Sequence, residues 1–180
     1  MDAQEADQET DGTGLPVAAI VAPRGADADG LLTGLARQLA GRGLAVVGHV
    51  QASDGNGAML LVDVGGGAAL GISQELGGGA QGCRLDSAAL AGAVGPLLAA
   101  MDNRPDLVIV NRFGKDEAEG RGFRAVFEKA CELGIPVLTV VREAYLDGWR
   151  AMTGSAHNEL PAQAARLEDW LAAHLAPRAA

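Results

Sequence analysis

The tightest constraint on this chain is an alternation: a short uninterrupted apolar run, a turn, then an apolar stripe at helical spacing. Pro16-Val17-Ala18-Ala19-Ile20-Val21-Ala22 opens it. A run of that length without a polar residue suits a strand buried on both faces, as in a parallel sheet covered by helices. In the turn that follows, either Asp27 or Asp29 is placed to cap a helix. Leu31, Leu32, Leu35 and Leu39 then share one helical face ending at Gly41-Arg42-Gly43, and residues 44–51 read as the second strand. Parallel strands joined through a helix imply a right-handed crossover.

The next stretch interrupts the rhythm. Ala58-Met59-Leu60-Leu61-Val62-Asp63-Val64 and residues 68–73 flank Gly65-Gly66-Gly67, the pattern of a β-hairpin. A glycine-rich loop covers residues 75–84, after which Asp86 or Ser87 can cap a helix carrying Leu90, Val94, Leu97, Leu98 and Met101. The alternation then resumes with a strand at 106–111 and a polar loop through Gly120. Next come a helix bearing Phe123, Val126, Phe127, Ala130 and Cys131, and a strand at 135–141. A short helical piece around 144–152 and a last helix over 161–175 complete the pattern. Four core strands, intervening helices and one hairpin insertion predict a doubly wound, mostly parallel α/β domain over residues 15–176.

Charge narrows the function classes. Of the formal net charge of −9, the first 14 residues contribute five units through Asp2, Glu5, Asp7, Glu9 and Asp11, with no basic residue among them. That segment reads as a disordered acidic leader. Excess negative charge and 3% aromatic residues argue against a nucleic-acid binder. No apolar run approaches the roughly 20 residues of a membrane span. Met1-Asp2-Ala3-Gln4-Glu5 lacks the positive start of a secretory signal, so the expectation is a cytoplasmic protein. Two distant cysteines, Cys83 and Cys131, exclude a disulfide framework. Cys131 reads as core. His49, His157 and His174 show no metal-ligand spacing, and Trp149 and Trp170 read as packing anchors.

In an open parallel sheet, ligands bind beyond the carboxyl ends of the strands. Those ends hold Arg24 and Gly25, Gln51, Asn111 and Arg112, and Arg142. Guanidinium forks suit oxyanions, and glycine loops offer backbone N–H groups. Two readings stand side by side: an anion pocket, or structural ion pairs of these arginines with Asp27, Asp29 or Glu117. Cys83 beside Arg84 reads either as a reactive thiol or as a loop cysteine, and His49 either as a pocket residue or as structural. A phosphate loop needs Gly-x-x-x-x-Gly-Lys-[Ser/Thr]. Residues 22–31 hold Asp27 and Asp29 but lack the lysine and hydroxyl, and Lys115 and Lys129 are the chain's two lysines. Efficient triphosphate hydrolysis from this loop is not expected.

Val108-Ile109-Val110-Asn111-Arg112-Phe113-Gly114-Lys115-Asp116-Glu117 resembles the second phosphate-site motif of small P-loop nucleoside-triphosphatases first described from thermophiles, in which a strand runs into Asp-Glu-x-Gly-Lys-x-Glu. Gly114, Lys115 and Glu117 match, while Asn111-Arg112 replaces the Asp-Glu pair. This likeness implies a degenerate P-loop NTPase-like fold with its magnesium carboxylate and water-activating base lost. Ile72-Ser73-Gln74, Gly82-Cys83-Arg84-Leu85-Asp86 and Asn111 through Lys115, with Glu117 and Gly120, are similar to a bacterial domain family of unknown function often encoded beside molybdate-uptake genes. That resemblance runs from Val17 to about Leu160 and implies a role in molybdenum handling.

The expected function is non-hydrolytic binding of a small oxyanion, molybdate or tungstate, rather than use of a resident cofactor. Arg24, Arg84 and Arg112 would supply charge, with Ser73, Gln74 and Asn111 as hydrogen-bond donors and Lys115 also in the binding set. Gly25, Gly82 and Cys83 would lie in the lining loops, and Glu117 beside them. A protein partner of molybdenum metabolism and a homo-oligomer are the expected associations. The alternatives are a nucleotide-binding protein with weak phosphatase activity through Lys115 and Glu117, and a regulatory or assembly module without catalysis.

Overall fold

A computed structural model describes residues 16–73, 86–154 and 158–175, apart from the Asn111 side chain. The acidic leader, the glycine-rich loop with Gln74, Gly82, Cys83 and Arg84, and His157 lie outside the described residues.

Seven strands form one sheet: β1 (Val17–Val21), β2 (Val46–Ser53), β3 (Met59–Asp63), β4 (Leu70–Gly71), β5 (Leu107–Phe113), β6 (Val137–Val141) and β7 (Asn158–Pro161). Their order is β4-β3-β2-β5-β6-β1-β7. The five strands from β2 to β7 in that order run parallel, and β3 and β4 add an antiparallel hairpin at the β2 edge. Helices α1 (Ala28–Gly41) and α6 (Ala164–His174) pack on one face. Helices α2 (Ser87–Met101), α4 (Arg124–Leu133) and α5 (Leu146–Thr153) pack on the other. Strand β1 shows why the opening run has no polar break: Val17 and Ala19 join one core, Ala18 and Ile20 the other, and all four are fully buried.

The helix stripes bury as the spacing predicts. Leu32, Leu35 and Leu39 of α1 are buried, and so are Leu90, Leu97 and Met101 of α2. Val126, Phe127 and Ala130 of α4 are buried, and Trp149 meets Phe113 and Phe127 edge-on at ring-centroid distances of 5.4 and 5.9 Å. Cys131 is half-buried, so its helix face turns partly outward. Of the alternative caps, Asp27 caps α1 and Asp86 caps α2.

Two elements differ from the sequence expectation. A short helix, α3 (Lys115–Ala118), sits in the segment read as a polar loop. Residues 158–161 form β7, so Pro161 ends a strand instead of starting the last helix. Proline is tolerated there because β7 is an edge strand. Asn158 donates its side-chain amide to the Val17 carbonyl at 3.2 Å, and Arg150 grips Glu159 with two nitrogens at 2.7 and 2.8 Å. Side-chain bonds thus hold a strand whose apolar signal is slight.

A bulge in β5 governs the site. Val110 pairs with Thr139 and Phe113 with Val141, so one extra residue is inserted on β5 at Asn111-Arg112. Phe113 consequently continues the inward face of Val108 and Val110. Bulges of this kind re-aim a side chain while the ladder resumes beyond them. The Val110 carbonyl at the start of the bulge accepts the hydroxyl of fully buried Thr139.

Candidate functional site

The crossover topology puts the β1–α1 turn at the carboxyl edge of the sheet, where a phosphate loop would lie. Gly25 and Gly30 keep the four-residue interval of that loop, but Leu31 and Leu32 follow where lysine and a hydroxyl residue would stand. Leu32 is fully buried in the core beneath. Asp27 places its own carboxylate at the start of α1, accepting the Gly30 N–H at 2.8 Å. A carboxylate there is favoured by the helix dipole, and it takes a donor that a phosphate would otherwise use. These residues do not fit a magnesium-bound triphosphate: the cationic and hydroxyl groups are missing, and an acid occupies the helix start.

At the end of β5, Arg112 reaches across to α1. Its Nη2 donates to both oxygens of Asp29, at 2.6 and 2.8 Å, and its Nε donates to Gln51 Oε1 at 3.2 Å. The two charged side chains are 23% and 32% exposed, so the pair faces water without being freely solvated. This contact ties α1 to the carboxyl ends of β2 and β5.

Beside it opens a cavity of about 550 Å³, lined by Asp27, Asp29, Thr33 and Arg37 from the α1 side and by Gln51, Ser53 and Met59 from the hairpin side. Asp29, Thr33 and Arg37 recur every fourth residue and therefore share one face of α1. Gly34 leaves open space on the adjoining surface, whereas the Asp27 carboxylate lies over Gly30. Thr33 donates its hydroxyl to the Asp29 carbonyl at 2.8 Å. Arg37 has no hydrogen bond or ion pair with the described residues.

The expected convergence of strand-end arginines around one hollow is not what the described residues show. Arg112 is engaged by Asp29, while Arg24 and Gly25 lie exposed in the β1–α1 turn, outside the cavity lining. Arg142 is exposed at the end of β6. Ser73 accepts the Met59 N–H through its hydroxyl oxygen, which fastens the segment after β4 to β3. Lys115 is exposed on α3 and lies 3.8 Å from Glu119. Gln74, Gly82, Cys83, Arg84 and the Asn111 side chain remain outside the described residues. Thr33, Arg37 and Ser53 went unread; the i, i+4, i+8 spacing from Asp29 was the available signal for two of them.

Glu117 corrects a second expectation. Placed among the ligand-binding residues by its motif, it is instead 3% exposed and wholly occupied by backbone. One carboxylate oxygen accepts the Gly114 N–H at 2.9 Å and the other the Phe123 N–H at 3.0 Å. Burial pushes this carboxyl above its ordinary range, against the downward pull of those N–H donors. A Cβ at Gly122, where φ is +56°, would lie 2.2 Å from the same carboxylate, so the turn requires glycine. His49, half-buried on β2, has its ring 6.0 Å from Phe123, and burial lowers its pKa against a smaller upward pull from Asp63. Among the described residues, its buried Nδ1 has no hydrogen-bond partner. No group of three metal-ligating side chains occurs among the described residues, nor a helix long and apolar enough to cross a membrane.

The model of DUF2478, a family described as proteins of unknown function, matches residues 17–170. This chain belongs to DUF2478. Its matched span includes the whole sheet and both sides of the Arg112–Asp29 contact. A curated relative, the "Molybdenum import ATP-binding protein ModC 2" of Bradyrhizobium diazoefficiens, is 38% identical over 159 residues, covering 86% of this chain. The chain spans 18% of that relative's length. No solved structure matches it. The mostly parallel sheet with helices on both faces is an α/β architecture compatible with a P-loop NTPase-like fold.

Proposed function

We propose that this chain is a non-hydrolytic module of molybdenum handling that binds a tetrahedral oxyanion of the molybdate or tungstate class through Arg112. The observation that carries the reading is the two-bond grip of Arg112 on Asp29. It is one guanidinium nitrogen, Nη2, held at the bulge of β5 against both oxygens of a partly exposed carboxylate beside a polar cavity. A tetrahedral dianion offers the same guanidinium group two oxygens and twice the charge. Support for the absence of hydrolysis comes from Asp27 at the start of α1 and from Leu31 and Leu32 in the lysine and hydroxyl positions. Support for the molybdenum context comes from the relative named for molybdenum import, of which this chain resembles a small part. In this role the module works in the cytoplasm with a protein partner of molybdenum metabolism.

The test is thermal unfolding of the full chain with molybdate, tungstate, sulfate, phosphate and ATP, with and without magnesium. Ligand at 100 times its dissociation constant adds about 2.7 kcal/mol, which raises the midpoint of a chain this size by roughly 5–10 °C. The expected result is a rise with molybdate and tungstate and no ATP turnover. Magnesium-dependent ATP hydrolysis would overturn it. Silence toward every oxyanion would favour the second reading, an assembly module in which Arg112–Asp29 is a permanent fastener, and the existing ion pair is the observation on its side.

A further inference from the structure

The candidate site already contains an anion of its own, Asp29 on Arg112. We propose that Asp29 is a built-in competitor, and that an incoming oxyanion dianion displaces it from Arg112 and is gripped from the opposite side by Arg37. This rests on the oxyanion reading above and assigns it a seat, a second cation and an exchange step.

Charge is the first ground. Arg112 is neutralised by Asp29, which lines the cavity, and the cation of the lining itself, Arg37, has no hydrogen bond or ion pair among the described residues. Once Asp29 releases Arg112, the Arg112 and Arg37 guanidinium groups are both open to an anion, and a dianion competes with the standing Asp27 and Asp29 carboxylates for them better than a monoanion does. Position is the second. Asp29 and Arg37 lie eight residues apart on one face of α1, about 12 Å along the axis. The Thr33 hydroxyl sits midway. An oxyanion held there can meet Arg112 at one end and Arg37 at the other. Gly34 leaves open space beside Thr33, while the Asp27 carboxylate covers Gly30.

The cost of exchange is small. Asp29 is about one-third exposed, so its carboxylate regains water on release. It stays in the first turn of α1, where the helix dipole still favours a negative charge. Partly exposed ion pairs are weak enough for a better-charged ligand to replace. Because Asp29 belongs to α1 while Arg112 belongs to β5, the exchange also releases one tie between α1 and the sheet edge.

Titration calorimetry of the full chain with sodium molybdate and with sodium sulfate tests this in wild type, Asp29→Asn, Asp29→Ser, Arg37→Ala and, as a control at the far end of α1, Arg42→Ala. Removing the competitor should tighten molybdate binding about two- to fivefold, and removing Arg37 should weaken it about two- to fivefold, as expected for one exposed charge interaction each. Arg42→Ala should match wild type. The two substitutions at position 29 differ in size and hydrogen bonding, so one stands in if the other fails to fold, as checked by circular dichroism. Wild-type binding that is unchanged in the Asp29 and Arg37 variants would overturn the exchange while leaving the oxyanion reading intact. No oxyanion binding in wild type or in either Asp29 variant would overturn both.

Discussion

Glu117 is the sharpest test of how this fold is fastened. Replacing it with glutamine keeps the shape and removes the charge. The carboxylate now accepts two buried backbone N–H groups, from Gly114 and Phe123. A glutamine has one accepting oxygen, so its amide nitrogen must turn a donor toward the second N–H. Leaving one buried N–H unsatisfied costs about 1–3 kcal/mol. Deleting a charge that burial disfavours returns part of that, giving a net loss of about 1–2 kcal/mol. For a chain of this length the midpoint should fall by roughly 2–8 °C. Glu117→Ala loses both acceptors and leaves a void, and should cost about 3–4 kcal/mol. The pH dependence carries a sign. Because the native carboxyl titrates above its unfolded value, its contribution is fully present below about pH 4.3 and is lost as pH rises through the raised value. A protonated carboxyl keeps lone pairs on both oxygens, so the wild type's margin over Glu117→Gln should be larger at pH 4 than at pH 7. Urea unfolding at the two pH values measures it. A Glu117→Gln midpoint equal to or above wild type at both would refute the two-acceptor account.

Gly48→Ala should cost about 3–5 kcal/mol in urea unfolding, because its Cβ would meet the Ile109 carbonyl oxygen at 1.9 Å and its φ is +121°. Gly92→Ala, with open space around the exposed face of α2, should gain about 0.5–1 kcal/mol in the same assay. Burial holds His49 below its ordinary pKa, so wild-type stability from this group is present above about pH 6.5 and falls as pH drops through the lowered value. His49→Leu should flatten that part of the stability curve, as followed by thermal melts from pH 5 to 8.

Much of the fold was legible because each core strand declares itself. The run from Val17 to Val21 has no polar position because both faces are covered, and the α1 leucines mark the side that covers one of them. Asp27 and Asp29 were harder to separate. Two aspartates two residues apart look equivalent as caps until the helix register sends one to Gly30 and the other to Arg112. Strand β7 escaped notice because four residues ending in proline carry almost no periodicity, and its anchoring comes from Arg150 and the Val17 carbonyl, both distant in sequence. The site was less legible than the fold. Arg112 was recognised, but its direction depends on one inserted residue in β5, which composition does not reveal. Lys115 and Glu117 carried a phosphate-site pattern, yet burial commits Glu117 to backbone donors and leaves Lys115 outside. Arg37 gains meaning only when α1 is laid against the ends of β2 and β3.

Calorimetric titration of the full chain with molybdate, beside an Arg112→Ala variant whose fold is verified by circular dichroism, bears most directly on the oxyanion site. Saturable one-site binding in the wild type that disappears in the variant is the predicted result. Binding that survives loss of the Arg112 guanidinium, or a wild type that takes up no molybdate at all, would contradict it.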